Sequence, residues 1–142
     1  IYVDIRKYYD EGTKPTTKGI SLRPELFGRL VEAPLGEAIV EAQSLVQGKI
    51  QALSPRFTHL ASIVRESSSP DSKTEDISVS FNLDNSHVVK VSLFKKMLLI
   101  DVRTYIRGTP TKKGISISSE VFDKLCAWTE WKDAVTKLQK RG

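Results

Sequence analysis

The residues with chemistry to offer sort quickly by what surrounds them. Cys126 is the one cysteine, so no internal disulfide can form. A lone thiol inside a predicted helix reads as a buried structural residue rather than a nucleophile. His59 and His87 stand without neighbours at metal-ligand spacing. The carboxylates are scattered, and no glycine-rich phosphate loop of the Walker or Rossmann type occurs. The expectation is therefore a protein that is not an enzyme, with no metal and no cofactor. What remains is cationic. Residues 77–142 carry 12 Lys and Arg against 6 Asp and Glu, whereas residues 1–76 carry 10 against 11. A basic half-chain fits a polyanionic partner, although a basic protein without such a partner would carry the same charge.

The cations do not fall at random, because many belong to a stretch that occurs twice. Near the C-terminal end the chain reads Ile100-Asp101-Val102-Arg103-Thr104-Tyr105 and then Gly108-Thr109-Pro110-Thr111-Lys112-Lys113-Gly114-Ile115-Ser116-Ile117. At the start it reads Val3-Asp4-Ile5-Arg6-Lys7-Tyr8 and then Thr13-Lys14-Pro15-Thr16-Thr17-Lys18-Gly19-Ile20-Ser21-Leu22. Asp101 answers to Asp4 and Lys113 to Lys18, with two residues gained or lost in the turn between. A strand–turn–strand unit found twice, each time leading into a helix, indicates an internal duplication.

The elements that must position these residues follow from periodicity. Residues 1–9 alternate as a half-buried strand, and a second strand runs from Lys14 to Leu22 with Pro15 near its start. Pro24 and Glu25 open a helix whose apolar face is Leu26, Phe27, Leu30 and Val31. Pro34 interrupts it. A further helical stripe, Ile39, Ala42, Val46, Ile50 and Leu53, extends to Ser54-Pro55. Phe57 to Val64 fits a short strand or a helical extension equally well. Arg65 to Asp76 is polar and Ser-rich, a linker pattern. Strands follow at Ile77–Leu83, around Val89–Leu93, at Met97–Ile106 and at Lys113–Ile117, with turns at Asp84-Asn85-Ser86 and Phe94-Lys95-Lys96. Ser118 caps one final helix carrying Val121, Phe122, Leu125, Trp128, Trp131, Val135 and Leu138. The two tryptophans read as helix-interface core. No apolar run approaches the length of a membrane span. The chain opens on Ile1 rather than Met, which fits a piece of a longer protein.

The ordered set of motifs from Val89 to Leu138 resembles the transcriptional coactivator family called positive cofactor four. The resemblance rests on Phe94-Lys95-Lys96, Ile100 to Tyr105, Pro110 to Ile117 and Asp133-Ala134-Val135. The first copy repeats it through Asp4 to Tyr8, Lys14 to Glu25 and Glu37-Ala38-Ile39. The resemblance implies an α+β fold of two β-β-β-β-α units, each a curved antiparallel sheet plus a helix. In that family two such units dimerise through their helices; here they would form a pseudo-dimer within one chain, the first unit lacking its leading hairpin. The domains would be 1–56 for the first unit, 57–76 for the connecting segment and 77–142 for the second.

It also implies binding of single-stranded DNA on the sheet, with cations along the phosphates and aromatic faces under unstacked bases. The matching positions in the second copy are Phe94 for stacking and Lys95, Lys96, Arg103, Lys112 and Lys113 for phosphates, with Arg107 added by proximity. In the first copy they are Arg6, Lys14 and Lys18, with Tyr9 at an aromatic position. Several positions depart from the family pattern. Ile106 replaces an aromatic, Ser92 replaces a basic residue, Thr17 replaces one of two basic residues before Gly19, and the loop Asp84-Asn85-Ser86 is not basic. The implied protein is nuclear and acts in transcription or genome maintenance, with single-stranded DNA or RNA and transcription proteins as partners. A homo-oligomer remains open, and the alternative is a protein-interaction scaffold on the same fold.

Overall fold

The computed structural model describes residues 2–9, 14–67, 75–94 and 96–141; of residues 7–9, 14–18, 66–67, 75–76 and 139–141 it describes only the backbone. The elements run β1 (Val3–Tyr9), β2 (Lys14–Leu22), α1 (Pro24–Val31), α2 (Leu35–Val46), α3 (Pro55–Thr58), β3 (Ala61–Ser67), β4 (Glu75–Asn82), β5 (His87–Phe94), β6 (Met97–Ile106), β7 (Thr109–Ser118), α4 (Ser119–Ala127) and α5 (Trp131–Arg141). The architecture is α+β. One antiparallel sheet has the order β3-β4-β5-β6-β7, and β1 and β2 form a separate two-stranded sheet.

The two copies of the repeat fold in the same register. Asp4 faces Ser21 and Arg6 faces Gly19 across β1 and β2, as Asp101 faces Ser116 and Arg103 faces Gly114 across β6 and β7. Both pairs slip register immediately after the arginine. β2 meets β7 where the sheets adjoin, in contact but without a hydrogen-bonded ladder.

Alternation sends Val79, Phe81, Val89, Val91, Ile100, Val102, Ile115 and Ile117 to one face of the large sheet, where all are buried. That face is covered by α2, which lies across β4 and β5 and buries Leu35, Ala38, Ile39, Ala42, Leu45 and Val46. α1 buries Leu26, Phe27 and Leu30. Phe27 is fully enclosed and takes two indoles edge-on, Trp131 at 5.0 Å between ring centroids and Trp128 at 6.0 Å. A Lys132–Glu32 ion pair ties α5 to the end of α1. Trp131 is thus buried against Phe27 as the apolar stripe predicts, whereas Trp128, 41% exposed, reaches the same ring from the surface and is only partly core.

Four expectations are corrected in detail. The stripe running to Leu53 is not one helix: α2 ends at Val46, and Gly48 (φ 78°) turns the chain back. The returning segment is held by Ser54, whose backbone N–H and hydroxyl both donate to the Glu41 carboxylate, and Leu53 is buried without being helical. The final helix is two, broken between Ala127 and Trp131. β7 begins at Thr109 rather than Lys113, because Arg107 and Gly108, both at positive φ, make the two-residue turn that suits a hairpin's twist. The expected linker from Arg65 to Asp76 is strand at both ends: residues 57–64 divide between the short helix α3 and β3, β3 runs on through Arg65 to Ser67, and it pairs as a fifth strand at the sheet edge with β4, which begins at Glu75. Backbone pairing decides this where periodicity could not: seven ladder positions, Ala61↔Phe81 to Ser67↔Glu75, are satisfied at once.

Candidate nucleic-acid interface

The face of the large sheet opposite α2 carries the polar alternate positions. Across it run Ser62, Ser80, Lys90, Asp101 and Ser116 in direct register. Arg103 and Phe94 occupy alternate positions of this same face. The β1–β2 hairpin brings its own polar positions up to the β7 side. Between the two hairpins lies an open groove of about 880 Å³, lined by Arg6, Ser21, Arg103, Lys112, Lys113 and Ser116, with Gly19 and Gly114 in its wall. Four of the predicted cations, drawn from both copies, thus converge on one groove.

The two arginines are anchored identically. Arg6 Nε donates to Asp4 Oδ2 at 3.0 Å and Nη2 to Oδ1 at 3.1 Å, while Ser21 Oγ donates to Oδ1 at 2.7 Å. Arg103 Nε donates to Asp101 Oδ2 at 3.1 Å and Nη2 to Oδ1 at 3.0 Å, while Ser116 Oγ donates to Oδ1 at 2.6 Å. Arg103 Nη1 also donates to the Thr111 carbonyl at 2.8 Å. The Arg6 hydrogen bond, helped by Ser21 and opposed by partial burial, holds the Asp4 carboxyl below its ordinary value. The Asp101 hydrogen bonds raise the Arg103 guanidinium above its own. Each arginine is therefore charge-balanced and fixed in direction, with Lys112 and Lys113, both exposed, supplying the groove's surplus positive charge.

The glycines opposite the arginines are required by this arrangement. A Cβ on Gly114 would stand 2.7 Å from the Val102 carbonyl oxygen and 2.8 Å from Arg103 Cβ and Cγ; on Gly19 it would stand 2.8 Å from the Ile5 oxygen and 2.9 Å from Arg6 Cγ. The arginine stem lies flat across its neighbour strand, and only a residue without a side chain leaves room. Gly114→Ala should cost about 1–3 kcal/mol through overpacking, read as a lower urea midpoint with an unchanged slope. An unaltered midpoint would show that Arg103 does not need this berth.

The other predicted residues are spread along the sheet. Phe94 is 59% exposed at the far end of β5, opposite Met97. Six strand positions separate Met97 from Arg103, roughly 20 Å. Lys96 is exposed beside Phe94, at φ 65° in the β5–β6 turn. Arg107 occupies the tip of the β6–β7 hairpin, at the opposite end of β6 from Phe94, and does not join it. Lys95 lies outside the described residues, and so do the side chains of Tyr9, Lys14 and Lys18. The expected residues thus form a groove cluster and a hairpin end rather than one patch.

Between these two lies Lys90, which sequence reasoning missed. It is exposed and pairs with Asp101 on the Phe94–Arg103 face. The signal was available: buried Val89 and Val91 force residues 90, 92 and 94 to the opposite face. Lys90 stands one alternate position from Ser92 on that face.

Asp84, His87 and Cys126 lie outside the groove lining. Asp84 Oδ1 accepts from the backbone N–H of Ser86 at 2.8 Å and of His87 at 2.7 Å, and lies 2.9 Å from His87 Nδ1. Burial raises the Asp84 carboxyl, but these donors outweigh it and leave the group below its ordinary value. The non-basic loop is thus an acid-organised turn. Burial, reinforced by Asp123, pushes the Cys126 thiol up, which leaves it protonated and a poor nucleophile at neutral pH. Among the described residues no three His, Cys, Asp or Glu side chains gather as a metal site would require, and no helix is long and apolar enough to cross a membrane.

Comparison with known proteins returns one family match. No curated protein and no solved structure matches the chain. A protein-family profile does, that of Transcriptional Coactivator p15 (PC4), over residues 1–33 and 81–128. These segments hold β1, β2 and α1 on one side and the end of β4 through α4 on the other, both Asp-x-Arg strands and both Gly-Ile-Ser strands included. Together they span more than half of the sequence, and the chain belongs to the Transcriptional Coactivator p15 (PC4) family.

Proposed function

We propose that the chain is a non-enzymatic single-stranded DNA-binding module of a nuclear transcription coactivator or genome-maintenance factor. It is read as two family units in tandem, 1–56 and 77–142 joined through 57–76, forming a pseudo-dimer within one chain through α1, α4 and α5. The observation that carries the reading is the groove between the two hairpins, with Lys112 and Lys113 beside the anchored Arg6 and Arg103. Lysines supply charge for phosphates. Arginines held by Asp4 and Asp101 hold their guanidinium charge in fixed directions in the groove wall. Phe94, about 20 Å along the sheet, offers a ring to a base further along the same strand, with Lys90 between. Backbone charge and aromatic faces together suit a sequence-tolerant single strand, DNA or RNA.

The test is fluorescence anisotropy with labelled oligo-dT. For about four phosphate contacts, affinity should fall roughly 50-fold between 50 and 200 mM salt. Absence of binding at low salt would sink the proposal. One observation favours the second reading, a protein-interaction scaffold on the same fold: Asp4 and Asp101 neutralise both groove arginines. That reading expects a stable protein partner with no oligonucleotide affinity.

A further inference from the structure

One end of the sheet face that carries Lys90 and Arg103 is not polar. A strand with one wet face alternates, and β6 does so over Ile100 to Arg103. It opens instead on four apolar residues in a row, Met97-Leu98-Leu99-Ile100. Leu98 and Ile100 serve the core: Ile100 is buried in it and Leu98 packs against it. Met97 and Leu99 fall on the opposite face, with Arg103. Met97 pairs directly with Phe94 where the β5–β6 hairpin closes, and the two are 58% and 59% exposed. Leu99 follows on the same face, half-buried between Ser92 and Ser118.

Opposed side chains on one face have Cβ atoms about 4.5–5.5 Å apart. The Phe94 ring, the Met97 thioether and the Leu99 side chain therefore make one uncharged surface, apart from the groove that Arg6 and Arg103 line. Folding does not explain Met97, which adds nothing to the core cluster. A methionine suits a contact surface, because its unbranched, polarizable thioether packs on aromatic faces without demanding one orientation. The surface offers apolar area rather than charge. It continues along the same face into Lys90 and Arg103, which favours the bases of a polyanion over an apolar protein segment.

We infer that Met97 is a base-contacting residue and that its oxidation loosens the bound strand. The inference rests on the nucleic-acid reading of this face and deepens it. A base stacks on Phe94, and the Met97 thioether carries the apolar surface on beneath the base beside it. Met97 is the chain's single methionine, and its exposure opens the sulfur to a peroxide. A sulfur lone pair attacks one peroxide oxygen, the O–O bond breaks and an S–O bond forms. The departing oxygen leaves as water, so sulfur is oxidised and the peroxide reduced. The sulfoxide is polar and chiral, and a stacked base would have to strip water from it.

The test uses the 142-residue chain carrying Cys126→Ser, which leaves Met97 its only sulfur. Mass spectrometry follows the addition of one oxygen on peroxide treatment. Oxidation should weaken oligo-dT binding by roughly 2- to 12-fold with the salt slope unchanged, and methionine sulfoxide reductase should restore it. Met97→Leu keeps the apolar surface and should bind nearly as the parent does, before and after peroxide. Met97→Gln, polar and of similar length, should match the oxidised protein. None of these changes should move the urea midpoint. An abasic oligomer of equal length should bind every form alike, because it keeps the phosphates and lacks the bases. Unchanged oligo-dT affinity after oxidation would overturn the inference and leave the nucleic-acid reading standing. An equal loss on the abasic oligomer would do the same, by making Met97 a backbone contact or a folding residue. Failure of the untreated parent to bind oligo-dT at low salt would remove the nucleic-acid reading and this inference together.

Discussion

Phe94→Ala should weaken oligo-dT binding by roughly 5- to 150-fold, the loss of one stacked base at about 1–3 kcal/mol. Its salt dependence should not change, because the ring carries no charge. Lys112→Ala with Lys113→Ala should do the reverse, weakening binding and flattening the logarithmic salt slope by about 1.4, at roughly 0.7 for each single-strand phosphate left without its lysine. The structure adds a condition that the order of residues does not supply. Phe94 and the groove lysines lie at opposite parts of the sheet, with no shared partner, so the free-energy losses should add in the triple variant. A triple variant no weaker than Phe94→Ala alone would show that oligonucleotide does not reach both regions. Equal salt slopes in all the proteins would remove the lysines from the interface. Lys90→Ala, between the two regions, should lower the slope by about half as much as the lysine pair.

Phe27→Ala should be the most damaging single change to stability, at about 3–5 kcal/mol. Its ring is fully enclosed and holds both tryptophans edge-on, so truncation leaves a cavity and frees both indoles. Calorimetry should show a midpoint lower by on the order of 10 °C. Because both tryptophans of the chain lie beside this ring, their emission should shift red in the folded variant even before any unfolding. Phe27→Leu fills most of the volume and should recover much of the midpoint but not the edge-to-face geometry. A wild-type midpoint for Phe27→Ala would mean that α1 and α5 are not joined here.

The damage expected at Phe27 and the additivity expected across the sheet rest on different kinds of information. The strand alternation, the proline-led start of α1, the duplicated Asp-x-Arg and Gly-Ile-Ser strands and the aromatic stripe over α4 and α5 are all local patterns, and they placed the hairpins and most helices. The end of α2 was not legible, because the stripe Ile50, Leu53 keeps helical spacing while Gly48 and the Ser54–Glu41 bonds fold the chain back. β3 was not legible either. Its residues Ala61 to Ser67 have no decisive period, and only a free edge on β4 makes them a strand. Tyr9, Lys14, Lys18 and Lys95 are expectations drawn from the resemblance to the family pattern.

What the amino-acid order determines by itself is the repeated unit and the residue types it carries: an aspartate two before an arginine and a Lys-Gly-Ile-Ser run after the turn, with Phe94-Lys95-Lys96 ahead of the second copy. Strand periodicity is a property of neighbours in the chain, and such facts need nothing else. What only the tertiary structure decides is which of these residues meet. It sets Arg6 beside Arg103 across the junction of β2 and β7, ties each to its own aspartate, and keeps Phe94 a sheet's length away. Those outcomes depend on how two hairpins are docked, with β2 against β7, α2 across β4 and β5, and Phe27 against Trp128 and Trp131.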